Sequence, residues 1–217
     1  MCLLKGPGFL LLLLAAISTN AAPTHEHCST VTKRMPTKHL HRIFGEWVLV
    51  WSVADHEDGH SLLANCSSSH VEFKLLPGNK TFEYIERNVY KGSLDSCTTY
   101  YENMTIPTDD AEHHTLKYDS IRVEKDGQVE PYNDTGDVDF YEGCHDCLAM
   151  TYKTSTIRFL LIYKREGAHR DVEHHKTHHN DLKKLAECLK FPHDRVYTYD
   201  GLADFCHKKS APEASQS

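Results

Sequence analysis

The residues with the most chemical potential are histidines, cysteines and one carboxylate. His174, His175, His178 and His179 form two pairs four positions apart, a spacing that on a helix sets two imidazoles on one face, where they can hold zinc or copper. No carboxylate or cysteine completes that ligand set. A solvated polar segment is therefore the weightier reading, and no metal is expected. Cys144-His145-Asp146-Cys147 has the spacing of a redox or soft-metal motif, but thioredoxin-like chemistry needs a βαβ setting absent from this pattern. A local disulfide between Cys144 and Cys147 is the expectation. Cys66, with His60 and His70 nearby in sequence, raises thiol catalysis, which requires a lowered thiol pKa. It also sits inside the triplet Asn65-Cys66-Ser67. No catalytic residue is assigned and no enzyme is expected.

The elements that would position these groups begin after a leader. Lys5 precedes an apolar run from Phe9 to Ile17, then Ser18, Thr19, Ala21 and Ala22 give a small-residue cleavage site, so 1–22 reads as a signal peptide. The run is too short to span a bilayer, and no later segment does so. A polar lead (23–44), one domain (45–209) and a flexible tail (210–217) follow. Acidic residues number 31 against 24 basic ones, which argues against nucleic-acid binding, because phosphate contacts need clustered Lys and Arg. Sequons at Asn65, Asn79, Asn103 and Asn133 behind the leader point to a secreted glycoprotein. Without Cys2, seven cysteines remain: Cys28, Cys66, Cys97, Cys144, Cys147, Cys188 and Cys206. An oxidising compartment should pair most of them and leave one over.

Strand periodicity runs through most of the domain. Val71, Phe73 and Leu75 alternate with Glu72 and Lys74, Pro77-Gly78-Asn79 turns the chain, and Phe82 and Tyr84 flank Glu83. Segments 95–106, 115–123, 138–141, 148–152 and 157–163 continue the series, and Lys125-Asp126-Gly127 should turn between two of them. With the strand through Trp47 this makes eight. Leu182, Leu185, Ala186 and Leu189 then recur at helical spacing until Pro192. The fold class read from this is all-β: an eight-stranded up-and-down antiparallel barrel with one C-terminal α-helix packed outside. Such a barrel can hold one small ligand. Strand phase turns Trp47, Leu49, Trp51 and Val53 inward, with Val71, Phe73, Phe82, Tyr84, Tyr100, Met150, Tyr152, Phe159, Leu161 and Tyr163. A glycosylated Asn103 must face outward, so Cys97, Thr99 and Tyr101 share its face while Tyr100 and Glu102 point in. Glu102 is the one charged anchor in the set and would suit a cationic group.

Gly45-Glu46-Trp47 at the start of the first strand resembles the Gly-x-Trp motif of lipocalins. Tyr163-Lys164-Arg165 ends the last long strand, where lipocalins place an arginine that stacks on that tryptophan across the barrel floor. The tail Ala186-Glu187-Cys188-Leu189-Lys190-Phe191-Pro192, with Val196-Tyr197-Thr198 and Cys206, is similar to orosomucoid-like plasma lipocalins. Segments 45–56, 140–150 and 191–209 bear a still nearer likeness to the fish saxitoxin- and tetrodotoxin-binding proteins and their tributyltin-binding relatives. The resemblance implies pairing of Cys28 with Cys188 and Cys97 with Cys206, and a tyrosine used for ligand at Tyr163. It implies a blood-plasma carrier, expected to be monomeric and free of cofactors, that binds or sequesters a small hydrophobic, amphiphilic or toxic molecule. The candidate ligand set is Leu49, Trp51, Phe73, Phe82, Tyr84, Tyr100, Glu102, Met150, Tyr152, Phe159, Leu161 and Tyr163, with Gly45, Trp47 and Arg165 as structural closure. Metal sequestration by the 174–179 histidines and a thiol isomerase built on Cys66 are the rival readings.

Overall fold

A computed structural model describes residues 25–109, 112–132, 134–171 and 179–208. Eight strands close on themselves: β1 (Gly45–Ala54), β2 (Cys66–Leu75), β3 (Thr81–Tyr90), β4 (Ser93–Thr105), β5 (Leu116–Lys125), β7 (Asp137–Tyr141), β8 (Cys147–Lys153) and β9 (Arg158–Arg165), with β9 returning to pair with β1. Every pairing is antiparallel. Two short strands lie off the barrel: β6 (Gln128–Glu130) on β5 and β10 (Tyr197–Thr198) on β1. Helix α3 (His179–Cys188) packs outside through Leu185 and Ala186, as its apolar spacing requires. The turn at Asp126-Gly127, with positive φ at both residues, joins β5 to the exposed β6 rather than two barrel walls, which corrects the expectation for it.

Two further helices appear. α1 (His25–Val31) precedes the barrel, and α2 (Glu57–Asn65) packs over the open end beyond β1. Glu57 and Asp58 occupy the first turn of α2, where they meet its positive dipole end, and His56 accepts a bond from the Asp58 amide at 3.3 Å. Gly59 lets the helix approach: a Cβ there would stand 2.6 Å from that of Ala54. The lead is no loose arm, since Met35, Leu40 and Ile43 are buried against the barrel.

The closed end is built on Trp47. Its indole N–H donates to the Ile43 carbonyl at 2.7 Å, and the Arg165 guanidinium lies 4.0 Å from the ring centroid. Arg165 also donates to the carbonyls of Phe44 and Arg42, each at 2.7 Å. Gly45, at φ 109°, passes so close that a Cβ would lie 2.8 Å from Arg165 Nη1. Above this floor Phe73, Phe82, Tyr84, Met104, Phe140, Leu148, Met150 and Tyr163 fill the barrel.

The inward phase of β1 holds through Leu49 and then fails. Leu49 pairs with Tyr163, but Trp51 pairs with Ile162, so Val50 is an extra residue. Such a bulge inverts the side-chain alternation beyond it. Trp51 and Val53 therefore sit on the outer face, contrary to expectation. The Trp51 indole N–H donates to His179 Nδ1 at 3.3 Å, at the start of α3.

Gly45→Ala should lower stability by about 1–3 kcal/mol, through left-handed backbone strain and displacement of Arg165. Urea denaturation against the wild type checks it. Gly78→Ala is the control for the backbone cost alone: it has φ 95° and open space around the Cβ position.

Candidate ligand pocket at the open end

Beyond the packed floor the barrel opens into a cavity of about 130 Å³, lined among others by Leu49, Ser69, Glu86, Asn88, Tyr90, Tyr100, Glu102, Tyr152, Phe159 and Leu161. Leu62 and Leu63 of α2 and Tyr132 of the segment after β6 complete its rim. The register shows how these side chains converge. Tyr84, Glu86 and Asn88 share the inward face of β3, and each opposes an inward residue of β4: Glu102, Tyr100 and Thr98.

The chemistry of the pocket lies in two carboxylates ringed by phenols. Glu86 accepts bonds from Tyr84 Oη at 2.9 Å, Asn88 Nδ2 at 2.9 Å and Ser69 Oγ at 3.3 Å, and burial raises its pKa despite these donors. Glu102 is less well served. Tyr118 bonds to its carboxylate, but Oε2 is buried with no partner. Burial first, and the nearby Glu86 charge second, push its pKa up to about 8. The surrounding phenols of Tyr84, Tyr90, Tyr100, Tyr118, Tyr152 and Tyr163 are all pushed up by burial, so none is charged near neutrality. The pocket thus offers unsatisfied acceptor capacity, aromatic faces and, among the described residues, no lysine or arginine in its lining, which complements an amine or guanidinium.

Of the expected ligand set, Leu49, Tyr100, Glu102, Tyr152, Phe159 and Leu161 line this cavity. Phe73, Phe82, Tyr84, Met150 and Tyr163 point inward but form the packed layer below it, where Tyr84 and Tyr163 hydroxyls lie 3.3 Å apart. Trp51 does not share the pocket, being on the outer wall. Glu86 was missed, although its signal was available: it follows Phe82 and Tyr84 at strand spacing.

The structure pairs Cys28 with Cys188, Cys97 with Cys206 and Cys144 with Cys147. Cys66 is free and buried at the rim of the cavity. Burial, with Glu86 nearby, pushes its thiol up to about 12, the wrong direction for a nucleophile. His70 lies on the outer face, bonded to Glu166, so it gives Cys66 no base. His174, His175 and His178 fall outside the described residues, as do Asn133, the leader and the tail beyond Lys208. Asn65 and Asn79 are exposed, and Asn103 lies on the outer face of β4, half-buried beside Ser120.

No protein-family model matches the sequence. Lipocalin 12 from rat epididymis superposes with a TM-score of 0.53 at 14% identity, over 79% of this chain and 89% of that one. The fold is that of a lipocalin. In sequence, saxitoxin and tetrodotoxin-binding proteins 1 and 2 of Takifugu pardalis are each 43% identical over 204 residues, or 94% of this chain. The chain spans about half the length of these curated relatives, 50% in each case. Such lipocalin geometry accounts for a floor sealed by Trp47 and Arg165 and a mouth left open at the other end.

Iodoacetamide at neutral pH should leave the native protein unlabelled and modify Cys66 once it is unfolded without reductant. Rapid labelling of the folded chain, read by intact-mass spectrometry, would contradict a buried, protonated thiol.

Proposed function

We propose that the chain is a secreted carrier or sequestering lipocalin that takes the cationic head of a small amphiphilic ligand at Glu102. The observation that carries this is the buried Glu102 carboxylate, with one oxygen unpartnered, inside a ring of phenols at the open end. Glu86 supplies a second carboxyl group, already held by its own donors. The cavity is small, so it suits a compact head group while the rest of the ligand lies at the mouth against Leu62. The names of the Takifugu relatives point the same way, because both toxins they mention carry guanidinium groups. Three disulfides, the leader and the sequons support an extracellular address. A Cys66 thiol that burial keeps protonated favours binding without chemistry.

Titration by calorimetry with tetrodotoxin, and with a neutral hydrophobic dye as comparison, tests the reading. Glu102→Gln should cost on the order of a hundredfold in affinity for the cation and leave the dye unaffected. Equal affinity of wild type and variant for the toxin, with tight dye binding, would replace this reading by an apolar carrier.

The pH dependence follows from the raised pKa of Glu102. Only the ionised carboxylate attracts the cation, and in the free protein it holds its proton up to about pH 8. Cation binding at pH 7 should therefore release a proton, and affinity should climb up to about tenfold per pH unit below 8 before levelling. Stability runs the other way. The unfolded carboxyl ionises near its model value of 4.5 while the folded one stays neutral, so this group's contribution falls from about pH 4.5 to 8. Glu102→Gln should remove both dependences.

A further inference from the structure

On the outer wall at the closed end, four polar side chains meet that the ligand pocket does not use. Glu46 is the second residue of β1, His70 lies on the outer face of β2, Glu166 follows β9, and His207 comes from the tail segment beside them. One ligand atom each from Glu46, His70 and His207 lie within 4.8 Å of one another. The His70 side chain is completely buried. Glu166 Oε2 holds its Nε2 at 2.9 Å, and its Nδ1 has no hydrogen-bond partner. The two imidazoles stack edge-on with centroids 4.3 Å apart, and Phe205 closes over His70 at 5.4 Å.

One ammonium bridges the two carboxylates of this cluster. Lys208 Nζ lies 3.1 Å from Glu46 and 2.7 Å from Glu166, and its side chain is 39% exposed. A tight turn, in which the Lys208 amide donates to the Phe205 carbonyl at 3.0 Å, presents His207, and the Cys97–Cys206 disulfide fastens that turn to β4.

We propose that Glu46, His70 and His207 form a binding site for a zinc-class divalent cation, which displaces Lys208 from the two carboxylates. Two imidazoles and a carboxylate match the donor preference of zinc, whereas magnesium and calcium favour all-oxygen sets. Glu166 is the positioning residue: a carboxylate hydrogen-bonded to a ligating histidine fixes the ring and raises its basicity. A fourth coordination position stays open for water. The ligands come from two barrel strands and the tail, so the ion would clasp the tail to the barrel floor. The site uses none of the 174–179 histidines.

Calorimetric titration of zinc chloride into the full, oxidised chain tests the proposal, in a background where His174, His175, His178 and His179 are alanine. That background should still bind one equivalent of zinc, and cobalt in its place should show the intense visible bands of a tetrahedral site. His207→Ala, an exposed tail position whose near-UV circular dichroism should match the parent, should abolish binding. Glu166→Gln should weaken it about tenfold. Lys208→Ala should bind more tightly than the parent, because the competing ammonium is gone, an outcome a purely structural role for the cluster does not give. No zinc binding in the background chain, or binding unchanged by His207→Ala, would overturn the site.

Discussion

The contact on which the rest depends is the Arg165 guanidinium lying over the Trp47 ring. It joins the first and last barrel strands where they meet, and its two backbone bonds reach the lead at Arg42 and Phe44. A guanidinium is suited to this place because it is planar, permanently charged and weakly hydrated, so one face can stack while its edge donates. A lysine would keep the charge but lose the stack and the paired geometry. With the floor sealed, the aromatic layer of Phe73, Phe82, Phe140 and Tyr163 can pack dry above it, and only the far end remains available to a guest.

Two environments follow within one barrel. The lower half is apolar and closely filled, with many side chains under 2% exposed. The upper half concentrates carboxyl, hydroxyl and amide groups in a space still largely shielded from water. Polar groups in such surroundings are costly unless satisfied. Glu86 meets that cost with three donors, whereas Glu102 keeps one oxygen without a partner. The difference between these two carboxylates, rather than the size of the cavity, is what the proposed preference for a cationic group rests on.

Much of this was legible beforehand. Alternation located all eight barrel walls, the helical spacing of Leu185 and Ala186 located α3, and the outward assignment of Asn103 correctly turned Tyr100 and Glu102 inward. The failures share a cause. Trp51 and Val53 were misplaced because a bulge at Val50 is a departure from periodicity, and periodicity was the signal being read. Helix α2 is short and polar, held by its cap, its dipole and the close approach at Gly59, none of which makes an apolar stripe. The depth at which the aromatic packing stops and the pocket starts depends on three-dimensional filling, so Phe73, Phe82 and Tyr84 could not be separated from Tyr100 or Tyr152 by phase.

The ladder around the barrel is uneven. Strands β2 and β3 share nine paired residues, whereas β5 meets β7 only at Leu116–Val138 and Lys117–Asp137, since the upper part of β5 is occupied by β6. Mechanically the barrel is a rolled sheet with a seam, not a uniform ring. Its fewest cross-strand pairs lie along that seam, and Tyr132, from the segment that follows β6, joins the rim of the pocket. A guest at the rim beside Tyr132 would thus press on the most sparsely paired side of the barrel, away from the Trp47–Arg165 clamp.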